Sequence, residues 1–146
     1  MKLKRYMIAA ALIMAALLPA TAKEKGNNTQ RVYMFGFAAS FNDSIVHFTE
    51  IHPVDSVVLN KKTNFLEGRE SYSSQLRNYM TQQMQMPYRT CVVFYDRKAG
   101  RLQKTYLKMK RLYTPERKGQ SSHNDVRTIG TDEFRFKAVD MNITTE

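Results

Sequence analysis

The eleven residues RVYMFGFAASF, at 31–41, constrain this chain more than any other stretch. In an extended strand successive side chains alternate, so Tyr33, Phe35, Phe37, Ala39 and Phe41 share one side and Val32, Met34, Gly36 and Ala38 the other. A strand that is apolar on both sides has no side to offer to water. It reads as a central strand, either covered on two sides or approached closely at Gly36.

The elements around it follow from local signals. Asn42-Asp43-Ser44 is a turn, and SIVHFTEI (44–51) pairs back on the central strand as a hairpin. VVL (57–59) is a short apolar run that adds a brief strand. Over 69–85, Tyr72, Leu76, Tyr79, Met80 and Met84 recur at helical spacing, and Pro87 stops the helix. RTCVVFY (89–95) is apolar enough for a buried strand, and a second helix is expected over 99–113. A polar loop, 114–131, leads to EFRFKAV (133–139), which alternates as an edge strand whose Arg135 and Lys137 discourage edge-to-edge pairing. The expected fold is α+β, in the order ββαβαβ: a two-layer sandwich of one mixed four-stranded sheet with two helices on one face.

The first 22 residues read as an export signal. A basic start (Lys2, Lys4, Arg5) precedes an apolar run that is shorter than the ~20 residues of a membrane span, and Ala20-Thr21-Ala22 supplies the small-x-small cleavage pattern. Residues 23–30 then form a polar leader, 31–140 a single domain and 141–146 a tail, with no membrane span after cleavage. The expected location is periplasmic or secreted, in a bacterium. The lone cysteine, Cys91, sits in an apolar run and reads as a small core residue, since no internal disulfide can form.

Charge is concentrated in one place. The chain carries +10, and RKAGRLQKTYLKMKRLYTPERK (97–118) holds nine basic residues against one acidic. Placed on a wheel at ~100° per residue, Ala99, Leu102, Thr105, Tyr106, Met109, Leu112 and Tyr113 gather into an arc about 140° wide that suits packing on a sheet. Arg101, Lys104, Lys108 and Arg111 gather on the far side. Solvated helix faces usually interleave acids with bases, because like charges three or four apart repel. The absence of any acid over 99–113 makes these four residues a candidate anion-binding ridge. Its partners would be an anionic surface, a glycan or an acidic protein. Nucleic acid is not favoured, because the helix tyrosines lie on the packed arc and are not free to stack.

Catalytic signals are weak. There is no nucleophile elbow, no cysteine beside a histidine and no glycine-rich phosphate loop. His47 and His52, five apart, should point to opposite faces of a regular strand, while Glu50 and His52 share one. A metal would need further ligands, such as His123 from the loop, and none is expected to bind. No cofactor is implied. The alternative to a binding module is a small hydrolase-type or metal-dependent enzyme built from dispersed His47, Glu50, His52 and His123.

VYMFGFAASFNDSIVHFTEI, FLEGRESYSSQLRNYM, PYRTCVVFY and KTYLKMKRLY, following the signal, resemble small exported proteins of gut Bacteroidota. The resemblance spans nearly the whole chain beyond the signal. It implies an exported single domain with no assigned activity and transfers no catalytic residue. Asp43-Ser44-Ile45 and Asp55-Ser56-Val57 are similar to the Asp-Ser/Thr-aliphatic tripeptide at which exported proteins of that phylum carry O-glycans, making Ser44 and Ser56 candidate sites near turns. The sequence as a whole points to an exported, non-enzymatic binding or accessory module.

Overall fold

The chain folds around the strand it would be expected to fold around. The computed structural model describes residues 29–114 and 124–141. Its elements run β1 (Thr29–Ala39), β2 (Ile45–Thr49), β3 (His52–Val58), α1 (Arg69–Gln82), β4 (Thr90–Asp96), α2 (Ala99–Tyr113) and β5 (Asp125–Ile129). Along one edge β1 pairs with β4 from Tyr33 to Ala39. Along the other it pairs first with β3, through Thr29–Met34, and then with β2, through Phe37 and Ala38. β5 adds outside β2 in parallel. The result is a mixed five-stranded sheet with two helices, an α+β arrangement.

β1 runs antiparallel to β2, β3 and β4, and β5 follows β2, so all four other strands share one direction. The β3–α1–β4 connection therefore steps across β1 one way, and β4–α2–β5 steps back across it. Parallel crossovers are right-handed, so reversing the step puts the second helix on the opposite face. The core divides accordingly. Val32, Met34 and Ala38 pack with Tyr72, Leu76 and Met80 of α1. Phe35 and Phe37 pack with Phe48 and with Leu102 and Tyr106 of α2. Both sides of β1 are thus covered, in three layers. The expected ββαβαβ order, four strands and one helical face are corrected to βββαβαβ, five strands and a helix on each face.

Local differences have local causes. β1 begins at Thr29, inside the expected leader, because Thr29 and Gln30 pair with Val58 and Val57. Ser40 and Phe41 leave the strand, and Phe41 is fully exposed rather than on the inward row. β3 spans seven residues instead of three; Asp55-Ser56, which read as turn chemistry, and Pro53, which lacks an amide donor, are tolerated because β3 is an edge strand. There, Asp55 and Ser56 together stand opposite Arg31, a bulge that puts Ser56 at φ 60°.

The C-terminal part differs most. The expected loop contains β5, while the expected strand 133–139 has no ladder partner. Side chains hold that segment instead. The Gln75 carboxamide accepts from the Lys137 amide and donates to its carbonyl, both at 2.8 Å, which mimics a β-bridge. The Phe136 amide donates to His52 Nε2 at 2.8 Å, and the Val139 amide to the Tyr72 hydroxyl at 3.2 Å. Phe136 is buried, stacked on His52, so the alternation registers its inward residue but not the missing ladder.

At Gly36 the α1 layer comes very close to the strand. Its amide donates to Thr49 Oγ1 at 2.8 Å, and a Cβ there would lie 2.5 Å from Leu76 Cδ2 and 3.1 Å from Phe136 Cζ. Gly36→Ala is expected to cost about 1–3 kcal/mol by overpacking. Urea unfolding checks this; an unchanged midpoint would mean that the Leu76 methyl turns aside freely.

Candidate functional site

Helix α2 is set by what precedes it. No side chain of Lys98 caps it, but Asp96 Oδ1 accepts the Lys98 amide at 2.8 Å and holds the Arg101 guanidinium at 3.0 Å. Leu102 and Tyr106 are buried, with Met109 and Tyr113 partly so, a stripe at spacings of four, three and four residues. The Tyr106 ring stands edge-on to Phe35 at 5.0 Å and to Phe48 at 5.8 Å, and Tyr113 leans on Phe37 at 5.0 Å. The packed arc is narrower than expected. Ala99, Thr105 and Leu112 lie outside it, because the flat contact with β1, β2 and β4 reaches only the centre of the stripe.

The cations of α2 fall into two groups. Arg101 is tied to Asp96, and Lys110 Nζ sits 4.8 Å from the Tyr106 ring centre and donates to Thr128 Oγ1 at 2.9 Å. Lys110 thereby fastens α2 to β5. Lys104, Lys108 and Arg111 are exposed and have no acidic partner among the described residues. The four-residue ridge expected from the wheel is therefore a three-residue one in this respect.

Two leucines share that surface. Leu107 is 45% exposed and Leu112 70%, and with Lys104, Lys108 and Arg111 they line a shallow depression of about 470 Å³. The wheel had assigned Leu112 to the packed arc. The signal that would have moved it is that Leu102, Tyr106, Met109 and Tyr113 already complete a stripe without it.

The dispersed histidines are placed differently from expectation. The extended ladder is interrupted at Glu50–Ile51 between β2 and β3, which resets the alternation. His47 stands opposite Ala38 and His52 opposite Met34, so both are buried on the α1 side. His52 Nδ1 donates to the Glu50 carbonyl at 3.1 Å while Nε2 accepts the Phe136 amide. A carbonyl only accepts and an amide only donates, so this ring is the neutral Nδ1–H tautomer. The Glu50 carboxylate turns outward to the Thr131 amide at 3.0 Å rather than sharing a buried face with His52. Both ring nitrogens of His47 lack a hydrogen-bond partner among the described residues. His123 lies outside the described residues. Among those described, no group of three or more His, Cys, Asp or Glu is placed to hold a metal ion.

The remaining candidates are also placed. Ser44 is exposed in the bend before β2, and Asp43 beside it accepts from the buried Arg89 at 2.7 Å and from the Ile45 amide at 2.9 Å. Ser56 is exposed too, but on the β3 bulge and not in a turn. Cys91 is buried in β4, its thiol pushed up by burial. No described helix is long and apolar enough to cross a membrane. No protein-family model matches the chain, and no curated protein or solved structure is significantly similar to it.

The histidines make a testable contribution to stability. Burial holds His47 and His52 below the ordinary 6.5, with Arg89 and Arg127 opposing protonation of His47 and Arg135 that of His52. As pH falls below about 6.5 the unfolded chain takes up protons that the native one refuses, so stability is full above that value and declines below it. Urea unfolding from pH 8 to pH 5 checks this, and His47→Leu is expected to remove part of the decline. A flat profile would contradict it.

Proposed function

We propose that this chain is an exported, non-enzymatic binding or accessory module, and that the outer face of α2 takes an anionic ligand through Lys104, Lys108 and Arg111. One observation carries the reading. Every other cation from Arg101 to Arg111 has a partner within the fold, whereas these three stand in a row with no acidic partner among the described residues. Their helix is anchored by its opposite stripe, so the charges are held on a rigid support and their mutual repulsion is not relieved by rotation. A bound anion would relieve it. Arg101 joins only by leaving Asp96.

A polyanion column tests the reading. Lys104→Gln, Lys108→Gln and Arg111→Gln together should elute from heparin at clearly lower salt than the parent. Removing three contacts should lower the slope of log affinity against log salt by up to about three, as counterion release requires. Lys110→Gln, which alters an inward cation, should shift retention far less. Equal retention of the triple variant and the parent would refute the ridge.

The export reading rests on residues 1–22. Intact mass of the protein recovered from the envelope or medium of its native cell should correspond to a chain beginning at Lys23. A mass beginning at Met1 would overturn it. Ser44 and Ser56 are accessible positions for O-glycans, and the same mass spectrum reads any added sugar.

A further inference from the structure

We infer that the anionic ligand of α2 is a lipid surface with phosphate headgroups, an inference that rests on the anion-binding reading above. The evidence is the arrangement of five exposed side chains. At ~100° per residue, Leu107, Arg111, Lys104, Lys108 and Leu112 succeed one another around about 140° of the helix. Three cations with no acidic partner among the described residues are bracketed by a leucine on each side, and all five line one shallow depression. Leu107 and Leu112 are exposed by 45% and 70%.

Each class of anion would use this face differently. A sulfated glycan is hydrated along its length and would leave both leucines in water. A nucleic-acid strand would seek aromatic rings for stacking, but Tyr106 and Tyr113 are turned into the core. A protein partner fits poorly because protein interfaces put an apolar centre inside a polar rim, and here the order is inverted. A headgroup layer matches both features. Phosphates meet the central cations, whose aliphatic stems lie along the surface, while the flanking leucines reach the boundary with the acyl chains. Leu102 and Tyr106 remain in the core, so the helix lies flat with the sheet above it and does not insert.

Sedimentation with vesicles tests this on the exported chain. Vesicles of phosphatidylcholine containing a third phosphatidylglycerol should carry the protein down, and phosphatidylcholine alone should not. Leu107→Ser with Leu112→Ser should weaken vesicle binding about tenfold or more while leaving heparin retention unchanged, because binding scales with apolar area as well as charge. Both leucines are exposed, so an unchanged circular-dichroism melt is expected and shows the variant folded. The triple glutamine variant should lose vesicles and heparin alike. If the parent is retained by heparin but ignores the anionic vesicles, or if the leucine variant sediments like the parent, the lipid inference fails and the anion-binding reading stands. If the parent binds neither, both fail.

Discussion

The burial of both sides of β1 is the constraint on which the rest of this structure depends. Val32, Met34 and Ala38 on one side, and Phe35 and Phe37 on the other, each bring apolar area that is worth about 1.5–3 kcal/mol per large side chain when removed from water. One helix cannot cover both. The chain answers with two crossovers of opposite sense, which place α1 and α2 on opposite faces. Gly36 then allows Leu76 to approach the strand, and Thr49 of β2 accepts the Gly36 amide.

The α1 and α2 layers are built by different means. Around α1 the packing is completed by a segment without a ladder, held by Gln75, His52 and Tyr72, so polar side chains take the place of strand pairing. Around α2 it is completed by aromatic rings, with Phe35 stacked on Phe94 at 4.9 Å. Because that stripe is narrow, much of α2 is left facing outward. Its charges are then sorted by their surroundings: Arg101 and Lys110 are drawn into the fold, and Lys104, Lys108 and Arg111 remain.

Much of this was legible in the residues. The two-sided apolar pattern at 31–41 announced a central strand, and helical spacing placed both helices and the buried Tyr72, Leu76, Met80, Leu102 and Tyr106. Layering was not legible, because alternation shows that β1 has two apolar sides but not which helix takes which; the crossover directions decide that. β5 was missed because DVRTI has only two apolar residues and sits in a polar run, its pairing supplied by β2. The extended segment after it looked like a strand because Phe134 and Phe136 alternate with charges, yet its hydrogen bonds go to side chains far away in sequence. At the candidate site the cations could be read one by one. Which of them were already engaged could not, since Asp96 and Thr128 arrive from other elements.

Amide chemical-shift mapping tests the central claim most directly. With nitrogen-15-labelled protein titrated with heparin and, separately, with anionic micelles, the largest shifts should fall at Lys104, Leu107, Lys108, Arg111 and Leu112. Tyr72, Gln75 and Leu76, on α1 at the opposite face of the sheet, should stay still. Shifts centred instead on the exposed Phe41 and Tyr88, or none on α2 in either titration, would contradict the account.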